Sequence, residues 1–461
     1  MKLIIKNGTL VTASDTFKAD IAAVSGIITE IAQEIIPNES DKVIDAEGKY
    51  VLPGGIDPHT HFAHPDYTDN FEDGTKAAAA GGITTVLNYC EPPSKGDTLL
   101  NNFKSWKEKS KDAYIDYGIQ PIITEPYMQE FIDNATELIE EGVTTIKLFM
   151  SARGIGLLVS DNSLHHILKK VGEEDMLATI HCENGDVIDN IIAQNIAEGK
   201  TSTLYHGLSR PTYLEAEATN RILSIAEATG ASVRIAHISC KEAMDELARA
   251  QEKGLGAYGE SCVHYLTKDI TDLDKEFSYS ARYICAPPLR EKWNQDVLWQ
   301  GIKDGIISSI GSDHAPVAYK NGRVNKLLGK DNFSMIPNGG PGTEEFYSVL
   351  YQYGVHEGRI SLQKFVQITS QNTAKEMGIY PQKGSLAIGS DADIVILDPN
   401  QKRTISVDTQ IHKCDYNAYE GVTVNCVLSN VISRGEEVAR NGKLCAKAGR
   451  GKYLYRNKIN E

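Results

Sequence analysis

The sequence predicts an α/β fold: a (β/α)8 barrel of the TIM type, with a small β-sandwich formed by the two ends of the chain. Three observations carry this. Eight short apolar, β-branched runs alternate with helical patterns through the middle of the 461 residues. Residues able to ligate metals recur where those runs stop, which in a barrel of this type is the active-site face. The third observation is that one strand-rich texture appears at both termini.

Taken in order, residues 2–52 carry short alternating runs, at 2–11 and 25–32, separated by Gly, Asn and Ser turns, the pattern of a small antiparallel sheet. The texture returns at 392–398, 404–408 and 430–444. Neither half alone has a partner for its apolar face. Segments 1–52 and 384–461 are therefore expected to complete one β-sandwich domain, enclosing a barrel over 53–383. The eight barrel strands are read at 51–57, 82–88, 114–122, 144–149, 177–182, 233–239, 256–260 and 307–313. Between them, 211–230 and 240–254 show apolar residues at helical spacing, with Pro near one start and Gly at both ends. No internal repeat, long linker or extended low-complexity tract interrupts the pattern.

Composition narrows the function. A formal charge of −15 and a pI near 5.3 leave no basic run to hold phosphates, which argues against nucleic acid and anionic membrane surfaces as partners. A small-molecule substrate is expected instead. The N-terminal residues lack a stretch apolar enough for a signal peptide, and no run approaches a membrane span, so a cytoplasmic enzyme is expected. Eight cysteines are scattered without a CxxC pair, as in a reduced protein. Cys182 and Cys240 neighbour metal-ligand candidates in the chain, but alternate strand residues face opposite ways, so both are read as core.

The candidate ligands are His59 and His61 after the first run, Lys147 on the fourth, His181 on the fifth, His237 on the sixth and Asp313 on the eighth. Side chains two apart on an extended segment project the same way, so His59 and His61 can hold one cation together. An HxH pair alone is a weak signal. Its weight comes from His181, His237 and Asp313 at other strand ends, which together describe a site for two divalent metals acting on water. Lys147 has two readings: an ammonium snorkelling from the barrel rim, or a buried neutral amine that adds CO₂ to form a carbamate bridging two ions. Asp313 would serve both as ligand and as the base that takes a proton from water and passes it to a leaving nitrogen. The remaining histidines, at 64, 165, 166, 206, 264, 314, 356 and 412, are read as structural.

With these residues in view, the chain resembles the hydantoinase and dihydropyrimidinase family of the cyclic amidohydrolases. The motifs that carry the resemblance run nearly end to end: PGGIDPHTHF, GTKAAAAGGITT, IKLFM, HCENGD, LSRPTYLEAEA, HISC, GESCVHYL, APPLR, GSDHAP, IPNGGPGTEE and PQKGSLAIGSDADIVILD. The resemblance implies that His59, His61, an N6-carboxylated Lys147 and Asp313 hold one zinc, and that Lys147, His181 and His237 hold the other. It implies a cyclic ureide or imide substrate, opened to an N-carbamoyl amino acid, with main-chain groups at Ala286 and Asn338 gripping the ring amide. It also implies a homotetramer or homodimer.

Three positions depart from the family pattern. Ala286 stands where relatives usually have Ser, a change a main-chain contact survives. Typical D-hydantoinases read lysine-x-phenylalanine-methionine-alanine-tyrosine, whereas here Lys147 is followed by Leu148, Phe149, Met150, Ser151 and Ala152, without the tyrosine expected to bind the developing oxyanion. The oxyanion is then left to the metals and to a hydroxyl such as that of Ser151 or a tyrosine from another loop. The loop at 63–75, which in relatives helps to admit the ring substituent, is also shorter. Allantoinases and L-hydantoinases, which lack that tyrosine as well, form the alternative reading. Metal-free scaffold relatives lose ligand residues, and all six are present here.

Overall fold

The computed structural model describes residues 2–459, so positions 1, 460 and 461 of the expected terminal segments lie outside the described residues. It has mixed α/β content. Its centre is a run of eight parallel strands: β1 (Gly55–Thr60), β2 (Ile83–Cys90), β3 (Asp116–Pro121), β4 (Thr145–Phe149), β5 (Leu177–His181), β6 (Ser232–Ile235), β7 (Ala257–Cys262) and β8 (Ser309–Gly311). Strands β1 to β3 form one sheet and β4 to β8 another, each in chain order. Parallel bridges lie at both seams, Ile122 with Lys147 after β3 and Thr60 with His314 after β8. Each strand thus neighbours the next, and the continuation of the last meets the first.

These strands are buried along almost their whole length, as parallel strands covered by helices must be. The intervening helices begin where the sequence supplies caps: the side chains of Asn70, Thr98, Ser160 and Asn184 each accept a main-chain N–H of the first turn. The helix expected over 211–230 spans Thr212–Thr229, and Gly230 closes it at φ 72°. Two expected strands end early. Residues 233–239 leave the sheet at Ile235 and 307–313 at Gly311, because His237 (φ 40°) and Asp313 (φ 48°) turn into the left-handed region just beyond.

The chain ends do share a sheet. Ile394–Asp398 pairs antiparallel with Tyr50–Pro53, placing Ile394 opposite Pro53 in a seven-stranded sheet drawn from both termini. The expectation of one small antiparallel sheet at the N-terminus is corrected, however. Leu3–Lys6 and Thr9–Val11 enter two different sheets, and each has a parallel partner, Lys42–Asp45 and Tyr50–Pro53 respectively. The run at 404–408 contributes only Arg403–Thr404, paired with Thr423–Val424. One apolar cluster draws on both sheets, with Ile5, Leu10, Ile21, Ile28, Val51, Ile394 and Ile432 buried. Each such side chain contributes roughly 1.5–3 kcal/mol when taken from water. No helix among the described residues is long and apolar enough to cross a membrane.

Candidate metal centre

His59 lies within β1 and His61 one residue past its end, so both imidazoles emerge on one side. Their Nε2 atoms stand 3.2 and 3.4 Å from the same oxygen, Oδ1 of Asp313. His181 closes β5, and its Nδ1 is 3.0 Å from Nε2 of His237. The ring centroids of His59 and His237 are 5.4 Å apart, which joins the two groups into one centre. Lys147, in the middle of β4, completes it. Its Nζ is fully buried without a hydrogen-bond partner, 4.8 Å from the ring centroid of Tyr89 and 5.1 Å from that of Phe149. The rim-snorkelling reading of Lys147 is thereby excluded. All six residues line one cavity of about 760 Å³.

Neighbouring carboxylates set which nitrogens are free. Glu260 on β7 faces Nδ1 of His59 at 2.8 Å, and Glu183 faces Nε2 of His181 at 2.8 Å. Each imidazole therefore donates its N–H outward and turns the bare nitrogen inward, the arrangement a metal ligand needs. Arg234 holds Glu260 at 2.5 Å and Arg210 holds Glu183 at 2.7 Å. Gly311 allows this packing, because a Cβ there would meet Oε1 of Glu260 at 2.5 Å and Cβ of His59 at 2.9 Å. Sequence reasoning did not single out these supports. A signal existed for both carboxylates: Glu183 is two residues past His181, and Glu260 ends the run read as the seventh strand.

Protonation favours cation binding. Burial lowers the pKa of His59 and of His237, the latter also pressed by His181 and Lys147. Burial brings Lys147 down to about 8. For Asp313, burial pushes upward but His59 and His61 outweigh it, holding the carboxyl well below its ordinary value. Bare imidazoles, an orphaned buried amine and an ionised carboxylate form a donor set of the kind that divalent cations take.

The other expected site residues fall around the same cavity. Ser151, Ala152, Ala286 and Asn338 all line it. Lys326 is fully buried and donates to the carbonyls of Ile284 (3.2 Å), Pro337 (2.7 Å) and Gly339 (2.6 Å), with Pro337 and Gly339 on either side of Asn338 and Ile284 two residues before Ala286. Three acceptors match the three N–H groups of an ammonium, while burial pulls this lysine's pKa down to about 7. His206 donates to the carbonyl of Cys285 at 2.7 Å, beside Ala286. His314 keeps its structural role, with Nε2 3.0 Å from Asp69 and Nδ1 accepting the Gly342 N–H. His64 also lines the cavity. Cys182 and Cys240 are buried in the core as expected, and no cysteine among the described residues forms a disulfide.

Candidate metal donors at strand ends, backed by carboxylates, suit a hydrolase, and comparison with known proteins gives that class. The profile of the amidohydrolase family matches residues 50–438. The D-hydantoinase of Geobacillus stearothermophilus is 41% identical over 464 residues, covering 99% of this chain and 97% of its own. The dihydropyrimidinase from Brevibacillus agri superimposes with a TM-score of 0.94 at 43% identity, over 100% of this chain and 99% of its own. The L-hydantoinase from Arthrobacter aurescens gives 0.91 at 28% identity, over 98% and 99%. The chain belongs to the amidohydrolase family. Within that family it sides with the enzymes that act on cyclic amides.

Proposed function

We propose that this chain hydrolyses the cyclic amide bond of hydantoins or dihydropyrimidines, giving N-carbamoyl amino acids, with two zinc ions bound. The observation that carries this reading is the convergence of six donors on one cavity, four of them buried, His61 and Asp313 partly exposed, and one of the buried four an amine without a partner. His59, His61, Asp313 and a carboxylated Lys147 would hold one ion; Lys147, His181 and His237 would hold the other. The ions supply Lewis acidity, lowering the pKa of water toward about 7 and polarising a carbonyl. The remaining tasks belong to the chain. Asp313, ionised before substrate arrives, takes a proton from the attacking water and delivers it to the departing ring nitrogen. Main-chain groups at Ala286 and Asn338, fixed by Lys326 and His206, orient the ring amide.

Ala152 has no side-chain donor for the developing oxyanion, so Ser151 or a nearby phenol takes that part. Tyr127 spends its hydroxyl on the carbonyls of Pro93 (3.1 Å) and Ser94 (2.9 Å). Tyr67 also lines the cavity, and its hydroxyl has no hydrogen-bond partner among the described residues. The missing phenol at 152 also favours a second reading, an allantoinase or L-hydantoinase-like enzyme.

The architecture proposed for this activity is a (β/α)8 barrel over 53–383 with a β-sandwich from 1–52 and 384–461. The seam bridges and the sheet shared by both termini support it. A cytoplasmic homotetramer or homodimer completes the proposal. The test is a turnover panel of hydantoin, 5-substituted hydantoins, dihydrouracil, allantoin and dihydroorotate with enzyme of defined metal content. Opening of hydantoins or dihydrouracil supports the first reading. A wide preference for allantoin in kcat/KM shifts it to the second, and failure to open any ring at full metal occupancy overturns both.

A further inference from the structure

Resting on the hydrolase reading, one part of the cavity carries information about the ring substituent. Glu91 directly follows β2, which runs parallel to the strand bearing His59, with Thr60 opposite Asn88. That register sets Glu91 slightly further out than His61, at the mouth of the same cavity. Its side chain is about three-quarters buried, at 24% exposure, yet its carboxylate accepts no hydrogen bond among the described residues. The nearest basic nitrogen is Nε2 of His64, 3.8 Å away, too far for a hydrogen bond. His64 is held in place on its other side. Its Nδ1 accepts the N–H of Asp66 at 3.1 Å and its ring stacks on Tyr67 with centroids 4.2 Å apart, so it keeps its distance from Glu91. The other acid at this end, Asp66, is already paired with Arg323.

A largely buried carboxylate without a donor is a costly feature unless something supplies one. Ile155 and Leu157, from the loop after Ser151, add apolar surface to the same cavity. We infer that Glu91 selects ring substituents that end in an N–H donor on an apolar stem, the donor being a cationic ammonium or a neutral ureido or amide group. The two sources share one chemistry, an N–H pointing at a carboxylate, and differ only in charge.

The test compares matched racemic hydantoins carrying 5-pentyl, 5-(4-aminobutyl) and 5-(3-ureidopropyl) substituents, with metal-loaded wild type, Glu91→Gln and Glu91→Leu. In the wild type, donor-tipped rings should exceed the pentyl ring in kcat/KM by roughly ten- to a hundredfold, the ratio one charge-assisted hydrogen bond supplies. Glu91→Gln should keep part of the ureido advantage while losing that of the ammonium, and Glu91→Leu should erase both. An advantage for only one donor class in the wild type supports the site and names its charge preference. A pentyl ring opened as well as the donor rings, or a donor preference that survives Glu91→Leu, overturns the inference and leaves the hydrolase reading standing. If wild-type enzyme opens none of these rings, nor hydantoin itself, the hydrolase reading falls and the inference with it.

Discussion

Lys147 shows how burial turns a common residue into an unusual one. Its amine lies inside the cavity wall without a hydrogen-bond partner, and burial brings its pKa to about 8, so a neutral amine able to add CO₂ is within reach of neutral pH. Lys147→Ala should lose metal and activity together, falling from about two metals per chain by elemental analysis. A short carboxylic acid should restore part of both by replacing the carbamate oxygens. Full activity in the alanine variant would remove the bridging role. Asp313→Asn should lower kcat by roughly 10² to 10⁴ even where metal is retained, the usual cost of removing a general acid/base. Because His314 bonds Asp69 and the Gly342 N–H and has no free nitrogen for substrate, His314→Ala should act mainly on stability. If kcat at full metal occupancy fell further in His314→Ala than in Asp313→Asn, the base would be misassigned.

The oxyanion donor is a second residue-scale question. Ser151→Ala and Tyr67→Phe, measured on the best substrate, divide the possibilities. The variant that removes the donor should cost about 2.7–4 kcal/mol in transition-state stabilisation, read as a fall in kcat. Silence in both would place the donor elsewhere in the lining.

At the scale of elements, the site depends on where strands stop. His237 and Asp313 occupy left-handed conformations just after β6 and β8, a backbone cost at two candidate metal-donor positions. The candidate donors and their strand-end spacing were legible in the sequence, because several ligating side chains at the ends of buried β-branched runs weigh more together than any one does alone. The left-handed turns were not, since neither histidine nor aspartate announces such a conformation. Nor was the clamp built by Lys326, which opens a short 3-10 turn (Lys326–Gly329) and whose three carbonyl partners come from 284, 337 and 339. Lys326→Met should loosen both segments that orient the ring amide. Its expected signature is a rise in KM larger than the fall in kcat, with metal content unchanged, and equal losses in both would point to a general defect instead.

Across the whole molecule, a buried ionic cluster joins the terminal sheets to the central strands. Lys383 Nζ lies 2.6 Å from Asp116 on β3, 3.0 Å from Asp391 and 2.8 Å from Asp393, the last two beside the strand that pairs with Tyr50–Pro53. Arg434 adds a contact to Asp116 at 3.0 Å. Removing the lysine leaves buried carboxylates uncompensated, so Lys383→Met should destabilise the fold by about 3–5 kcal/mol in chemical denaturation at neutral pH. Burial lowers this lysine's pKa, but Asp393, Asp116 and Asp391 outweigh it and raise it above 10.5. A raised pKa means the contribution is complete below the ordinary lysine value and is lost only as pH climbs through the raised one. A variant as stable as wild type at pH 7 would show that the cluster merely breaks even against an apolar replacement.

By itself the sequence determined the alternation of strand and helix, a set of candidate metal donors and the family, because hydrophobic period and residue chemistry are local properties written along the chain. Tertiary structure alone decided that Glu260 orients His59, that the amine of Lys147 is orphaned, and that Leu3–Lys6 and Tyr50–Pro53 belong to different sheets. Each of those depends on groups far apart in the chain, or on the absence of any partner. His59 meets Glu260 across 201 residues, and no local pattern encodes a contact over that separation.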